Sequence, residues 1–189
     1  MNQRDEVLKL RQEILTVAKN ARAEFGELSS EQLNWKPAPE RWSVAQCFDH
    51  LFTSSAAYFP IFESIVENRK QTRFMERLPG LPKVWARLLI NSLDPSNVKK
   101  MKAPASFQPS TSEVRSSIID DFGNQQSQIA DTMDRTKDLA VDKIIITSPA
   151  LSIVTYSALD AYRIIVVHDK RHFQQAKRVM NEQNFPGLN

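Results

Sequence analysis

Three histidines are the residues of this 189-residue chain best suited to chemistry. Two of them, His168 and His172, sit four positions apart in Val167-His168-Asp169-Lys170-Arg171-His172-Phe173-Gln174-Gln175. On a helix, positions i and i+4 lie one turn apart on one face, so both imidazoles can point at a single atom. The third, His50, lies over a hundred residues upstream in a stretch that also reads as helix. Three imidazoles on two packed helices would make a tripodal metal site with further coordination positions open. A plainer reading stands beside this one, since buried histidines commonly find ordinary hydrogen-bond partners. Two on one buried face would each need such a partner, at a cost of a few kcal/mol if unmet. A shared cation meets both needs.

The neighbouring residues also admit two readings each. His168 and His172 have the spacing of the zinc-peptidase His-Glu-x-x-His helix, but Asp169 stands where the glutamate would be. That carboxylate is one methylene too short for a general base on a metal-held water. It also points about 100° away from His168. Asp169, Lys170 and Arg171 therefore read as helix surface or as a contact behind the ligands. Cys47, one turn before His50, either ligates or fills core, and free cysteine is usually core. Tyr58, Tyr156 and Tyr162 are candidate proton donors among which the sequence does not choose. Gln46 and Gln175 are the polar neighbours expected to touch the ligands or a substrate.

Four long helices would have to position these residues. Over 5–25, Val7, Leu10, Ile14, Val17, Ala18, Ala21 and Phe25 recur at helical spacing and Gly26 is a natural stop. A short helical turn at 29–33 and an extended, proline-rich connection follow. Ser43 with Gln46 forms a capping box, with Trp42 placed to staple against Cys47. That second helix is expected to run towards Lys70 with a kink near Pro60, and His50 falls on its inward face. Residues 71–109 are a long excursion holding a short helix over 81–93, several prolines including Pro79, and Lys99, Lys100 and Lys102. Such a connection is either a surface segment packed by its own aromatics or a lid. A second capping box at 110–113 predicts a helix to about Lys137, and the β-branched run 143–147 a short extended segment. The last helix is expected over 155–181. The sum is an all-α, four-helix bundle with one elaborated connection between helices 2 and 3, in a single domain over 1–189.

Composition agrees with this. The chain is 41% hydrophobic and 25% charged, with only four glycines, which favours long helices over a turn-rich sheet fold. Its net charge of +3 is spread along the chain and interleaved with acids, so no nucleic-acid footprint appears. One cysteine rules out an internal disulfide and fits a reducing compartment. The first residues lack a signal-peptide core and no apolar run approaches a membrane span, so a cytoplasmic location without a membrane partner is expected.

Two segments carry a family likeness. Leu33-Asn34-Trp35-Lys36-Pro37-Ala38-Pro39-Glu40-Arg41-Trp42-Ser43-Val44-Ala45-Gln46-Cys47-Phe48-Asp49-His50-Leu51 resembles the N-terminal signature of the DinB-like/YfiT-like superfamily. There a Trp-Ser pair opens the second helix and a His-Leu pair follows. His168-Asp169-Lys170-Arg171-His172-Phe173-Gln174-Gln175 resembles its C-terminal signature, a His-x-x-x-His followed by Gln. Order and spacing match over nearly the whole chain. The resemblance implies an up-down-down-up bundle with His50, His168 and His172 as ligands of a divalent metal ion, usually nickel or zinc. Characterised relatives are thiol-dependent, either S-transferases using bacillithiol or mycothiol-dependent isomerases.

The first expectation is therefore a metalloenzyme that activates a low-molecular-weight thiol against a small-molecule electrophile. The rivals are a hydrolase in which the cation lowers the pKa of water, and a non-catalytic stress-related bundle whose cation clamps two helices. An exposed apolar helix face would fit a homodimer.

Overall fold

The computed structural model describes residues 2–78, 80–96 and 103–187. Pro79, Lys99, Lys100 and Lys102 of the 71–109 connection lie outside the described residues. Helix α1 (Gln3–Phe25) starts where the Asn2 side chain accepts from the Asp5 N–H, and it buries Val7, Leu10, Ile14, Val17, Ala21 and Phe25. It stops at Gly26, where an added Cβ would collide with the Arg22 carbonyl oxygen. A one-turn helix, α2 (Ser30–Asn34), carries the Ser29–Gln32 capping box.

The second long helix is two pieces, α3 (Val44–Ala56) and α4 (Phe59–Val66), with Pro60 in the first turn of the second. Proline has no N–H to give the preceding turn, so the expected kink becomes a break. The helix also ends short of Lys70, because Asn68 adopts a left-handed conformation at φ 53°. The connection that follows contains the expected helix, α5 (Leu81–Leu93), which packs through Pro82 and Ala86.

Helix α6 (Ile118–Thr136) starts later than the capping pattern at 110–113 predicts. That segment's donors are engaged elsewhere: Ser110 N–H donates to Asp49 Oδ2 at 2.8 Å, and Val114 N–H to Asn34 Oδ1 at 2.8 Å. Tertiary bonds have replaced the cap. Strands β1 (Ile145–Thr147) and β2 (Thr155–Ser157) pair antiparallel, Ile146 opposite Tyr156. The last helix, α7 (Ala158–Met180), therefore begins three residues later than expected, with the Ser157 side chain capping Asp160 N–H.

Side-chain pairs give the helix directions. Arg4, Arg11 and Arg22 meet Asp138, Asp134 and Asp120, so α1 and α6 are antiparallel. Glu6, Glu13 and Glu24 meet Arg163, Lys170 and Lys177, so α1 and α7 are parallel. Gln125 donates to the Phe52 carbonyl and Arg135 pairs with Glu63, so α3–α4 runs with α6. The bundle is up-down-down-up. These pairs are partly exposed and report orientation more than stability.

The apolar core falls into two clusters along the bundle. One holds Ile14, Phe62, Ile129, Met133, Tyr162 and Ile165; the other holds Phe25, Phe48, Leu51, Phe122, Phe173 and Val179. Near the junction of the two, on three helices at once, lie buried polar residues: His50, Ser54 and Ser55; Gln125 and Gln126; Asp169 and His172. A polar belt crosses the middle of the bundle.

Candidate metal centre

The belt's histidines are placed by local chemistry that starts at Ser43. Its Oγ accepts from Gln46 N–H at 3.1 Å, and Gln46 Oε1 accepts from Ser43 N–H at 3.2 Å. This box fixes where α3 begins and hence the inward phase of His50, which is 3% exposed. The same Gln46 donates through Nε2 to the Ser110 carbonyl at 2.8 Å, while Asp49 accepts from Ser110 N–H. Together they strap the end of the connection across α3. The strap brings the Phe107 carbonyl to 2.5 Å from His50 Nδ1. Nδ1–H must be the donor there, so Nε2 of His50 is left with its lone pair.

That Nε2 faces His168 Nε2 at 3.0 Å. The third ring completes the group, with ring centroids 4.7 Å from His50 to His172 and 4.7 Å from His168 to His172, all edge-to-face. One nitrogen from each of the three residues lies within 4.8 Å of the others. Two imidazole nitrogens 3.0 Å apart match ligands held about 2.1 Å from a common ion at about a right angle. Trp42 covers the group, its ring 5.0 Å from His50 and stacked on His172 at 5.5 Å. Trp42 thus shields the imidazoles.

Burial sets the protonation. It pushes His168 well below the usual imidazole range, and the adjacent His172, His50 and Arg171 push the same way. It takes His172 down to about 3, helped by His50 and Arg171 and opposed by the Gln175 side chain. His50 is also lowered by burial, with the Phe107 carbonyl and Asp49 acting in the opposite sense. All three imidazoles are neutral at pH 7 and offer lone pairs. A set of three neutral imidazoles suits a borderline divalent cation such as zinc or nickel.

The remaining polar atoms of the belt are short of partners. Both oxygens of Asp169, both polar atoms of Gln126, Gln125 Oε1 and His172 Nδ1 are buried without a hydrogen bond among the described residues. Native interiors hold few such groups, and they concentrate where a water, ion or ligand completes the set. Asp169 was expected at the helix surface or behind the ligands; it is fully buried. Its angle from His168 is misleading, because it lies only about 60° from His172 and 40° from Ile165 around α7.

Other candidates sort clearly. Gln46 is spent on the cap and the strap, and Gln175 lies beside His172. Cys47 is fully buried among apolar side chains and burial pushes its thiol far up, so it is core. The tyrosines bond within the core, Tyr58 to Tyr156 at 2.7 Å and Tyr162 to Thr136 at 2.8 Å. A cleft of about 810 Å³ between α1 and α7 is lined by Glu13, Lys170, Phe173 and Arg178, and by none of the three histidines.

Comparison with known proteins agrees with the helical-bundle fold. The sequence profile of the DinB superfamily matches residues 13–176, a span that contains all three histidines. No curated protein and no solved structure gives a match.

Proposed function

Because this chain belongs to the DinB superfamily, we propose that it is a divalent-metal-dependent enzyme with His50, His168 and His172 as the ligands. The observation that carries the reading is the convergence of three neutral imidazoles, one of them held in a fixed tautomer by the Phe107 carbonyl. In this reading that carbonyl keeps His50 Nε2 free for the ion, and Trp42 keeps water from one side of the group. His168 is only partly buried and marks the side from which a co-substrate reaches the site.

The reaction proposed is transfer of a low-molecular-weight thiol to a small electrophile. A divalent cation held here would supply Lewis acidity, which favours the ionised form of a thiol at neutral pH. The thiol has to come from outside the chain, since Cys47 is its single cysteine and is buried and protonated.

Elemental analysis of untagged protein, wild type beside His168→Ala, tests the ligand set. About one ion per chain is expected in the wild type and none in the variant. Stoichiometric metal in the variant would refute the assignment of His168. A wild type that takes up no ion from a panel of divalent metals would make the three histidines core residues. Turnover of electrophile and ester panels, with and without added thiols, then tests the reaction. Ester cleavage indifferent to thiols would replace thiol transfer by hydrolysis.

A further inference from the structure

The connection between α4 and α6 carries an outward face that the metal chemistry does not use. Helix α5 lies on the bundle through Pro82 and Ala86, with Trp85, Leu89, Ile90 and Leu93 half-buried beside them. Its opposite side is apolar as well. Leu81, Val84 and Leu88 fall within about 60° of arc, and Val84 and Leu88 are 54% and 55% exposed. Two segments next to the helix in the chain or the fold also expose apolar side chains. The turn Phe74–Arg77 presents Phe74 at 77% exposure, and the β1–β2 loop presents Leu151 and Ile153. Thr147, at the end of β1, donates to Glu76 at 2.9 Å, which ties that loop to the turn.

The charges beside these side chains have one sign. Between Glu76 and Asp94 the chain has Arg77, Lys83 and Arg87 and no acidic residue. Arg87 and Lys83 follow Val84 around α5 by roughly 60° and 100°. These three cations and Arg73 are exposed, and none has an ion-pair partner among the described residues.

We propose that this face seats the protein on an anionic membrane surface. Phe74, Leu81, Val84 and Leu88 would enter the headgroup region while Arg77, Lys83 and Arg87 meet lipid phosphates. A helix with an exposed apolar stripe bordered on one side by unpaired cations is the pattern of an interfacial amphipathic segment. Antiparallel two-fold pairing of α5 with a second copy would set the cations of one copy against those of the other. This departs from the expectation of no membrane partner, which rested on the lack of a spanning segment: the helix would lie on the bilayer, and no helix among the described residues is long and apolar enough to cross one.

Sedimentation of the full chain with lipid vesicles tests this, using phosphatidylcholine alone and phosphatidylcholine containing phosphatidylglycerol. Binding is expected only to the anionic vesicles, and it should weaken sharply as salt rises from about 0.1 M to about 1 M. The double variant Lys83→Glu/Arg87→Glu should lose at least about tenfold in partitioning. Phe74→Ser/Leu88→Ser should also lose binding, though both positions are exposed, with an unchanged melting temperature showing that the fold is intact. The proposal is overturned by no sedimentation with anionic vesicles near 0.1 M salt, or by equal binding of wild type and Lys83→Glu/Arg87→Glu. A concentration-dependent dimer lost in Phe74→Ser/Leu88→Ser, without lipid binding, would overturn it in favour of a contact between copies.

Discussion

Glu76 offers the sharpest test of what anchors the 71–109 connection. The residue is 6% exposed, and its carboxylate accepts from Lys70 Nζ at 2.6 Å, Arg73 N–H at 2.9 Å and Thr147 Oγ1 at 2.9 Å. Glu76→Gln keeps the shape but removes the charge and turns one acceptor into a donor that faces donors. Breaking a buried pair costs about 3–5 kcal/mol. The Lys70 side chain is 17% exposed and can rehydrate, so about 2–3 kcal/mol is the expected loss at pH 7. For a chain of this length that lowers the melting temperature by roughly 4–12 °C.

The pH dependence follows from the same contacts. Burial raises the pKa of Glu76, but the bonds from Lys70, Arg73 and Thr147 outweigh it and leave the group below its ordinary value of 4.5. An acid with a depressed folded-state pKa contributes stability above its unfolded pKa, and that contribution is lost as pH falls through the folded value. Thermal melts of wild type and Glu76→Gln should therefore differ most at neutral pH and converge below about 4.5. A gap of the same size at pH 3, or none at pH 7, would refute this account.

Two further substitutions probe the frame and the belt. The Asn34 side chain donates to the Val114 carbonyl at 2.9 Å and accepts from Val114 N–H at 2.8 Å, so Asn34→Ala leaves both backbone groups unpaired. It should cost about 2 kcal/mol in urea unfolding, and a loss under about 0.5 kcal/mol would mean that water replaces the amide. Burial holds the Asp169 carboxyl well above the usual range. The folded state thus disfavours its charged form, and chelator-treated wild type should lose stability as pH rises from the ordinary carboxylate range towards the folded pKa. Asp169→Asn should lack that decline, so coincident stability–pH curves would count against an unpaired buried carboxyl.

Much of the frame was legible because it rests on local rules. The apolar spacing over 5–25, the Ser43–Gln46 cap and the 81–93 helix depend on neighbours in sequence, and the structure follows them closely. The expectations that shifted concern backbone groups taken by distant partners. Asp49 and Asn34 draw on the 110–114 segment and delay α6, and pairing with β1 draws 155–157 out of α7. At the candidate site, the types and phases of the three histidines were readable, while their supports were not. A main-chain carbonyl such as that of Phe107 leaves no mark in sequence, and Trp42 looked like a staple for Cys47 rather than a cover for two imidazoles. The burial of Asp169 could have been found by measuring its angle from His172 and Ile165.

The 71–109 connection was open to two readings, a surface segment or a lid, and the structure gives its ends different duties. Near its start, Glu76 fastens it to β1; at its end, Phe107 holds the tautomer of His50. That end is drawn in by Gln46 and Asp49, which lie one turn or less before His50 on α3. The helix that carries the ligand therefore also recruits the loop that orients it. The arrangement is expensive without a further partner, because the belt buries Asp169, Gln126 and His172 with polar atoms unmatched in the middle of an otherwise apolar bundle. Unmatched buried groups cost about 1–3 kcal/mol each, and a core of this size could have used apolar residues there. A cation shared by three neutral imidazoles would take up the lone pairs that converge there. Three converging imidazole nitrogens inside a buried polar belt are what a site held ready for a cation should look like.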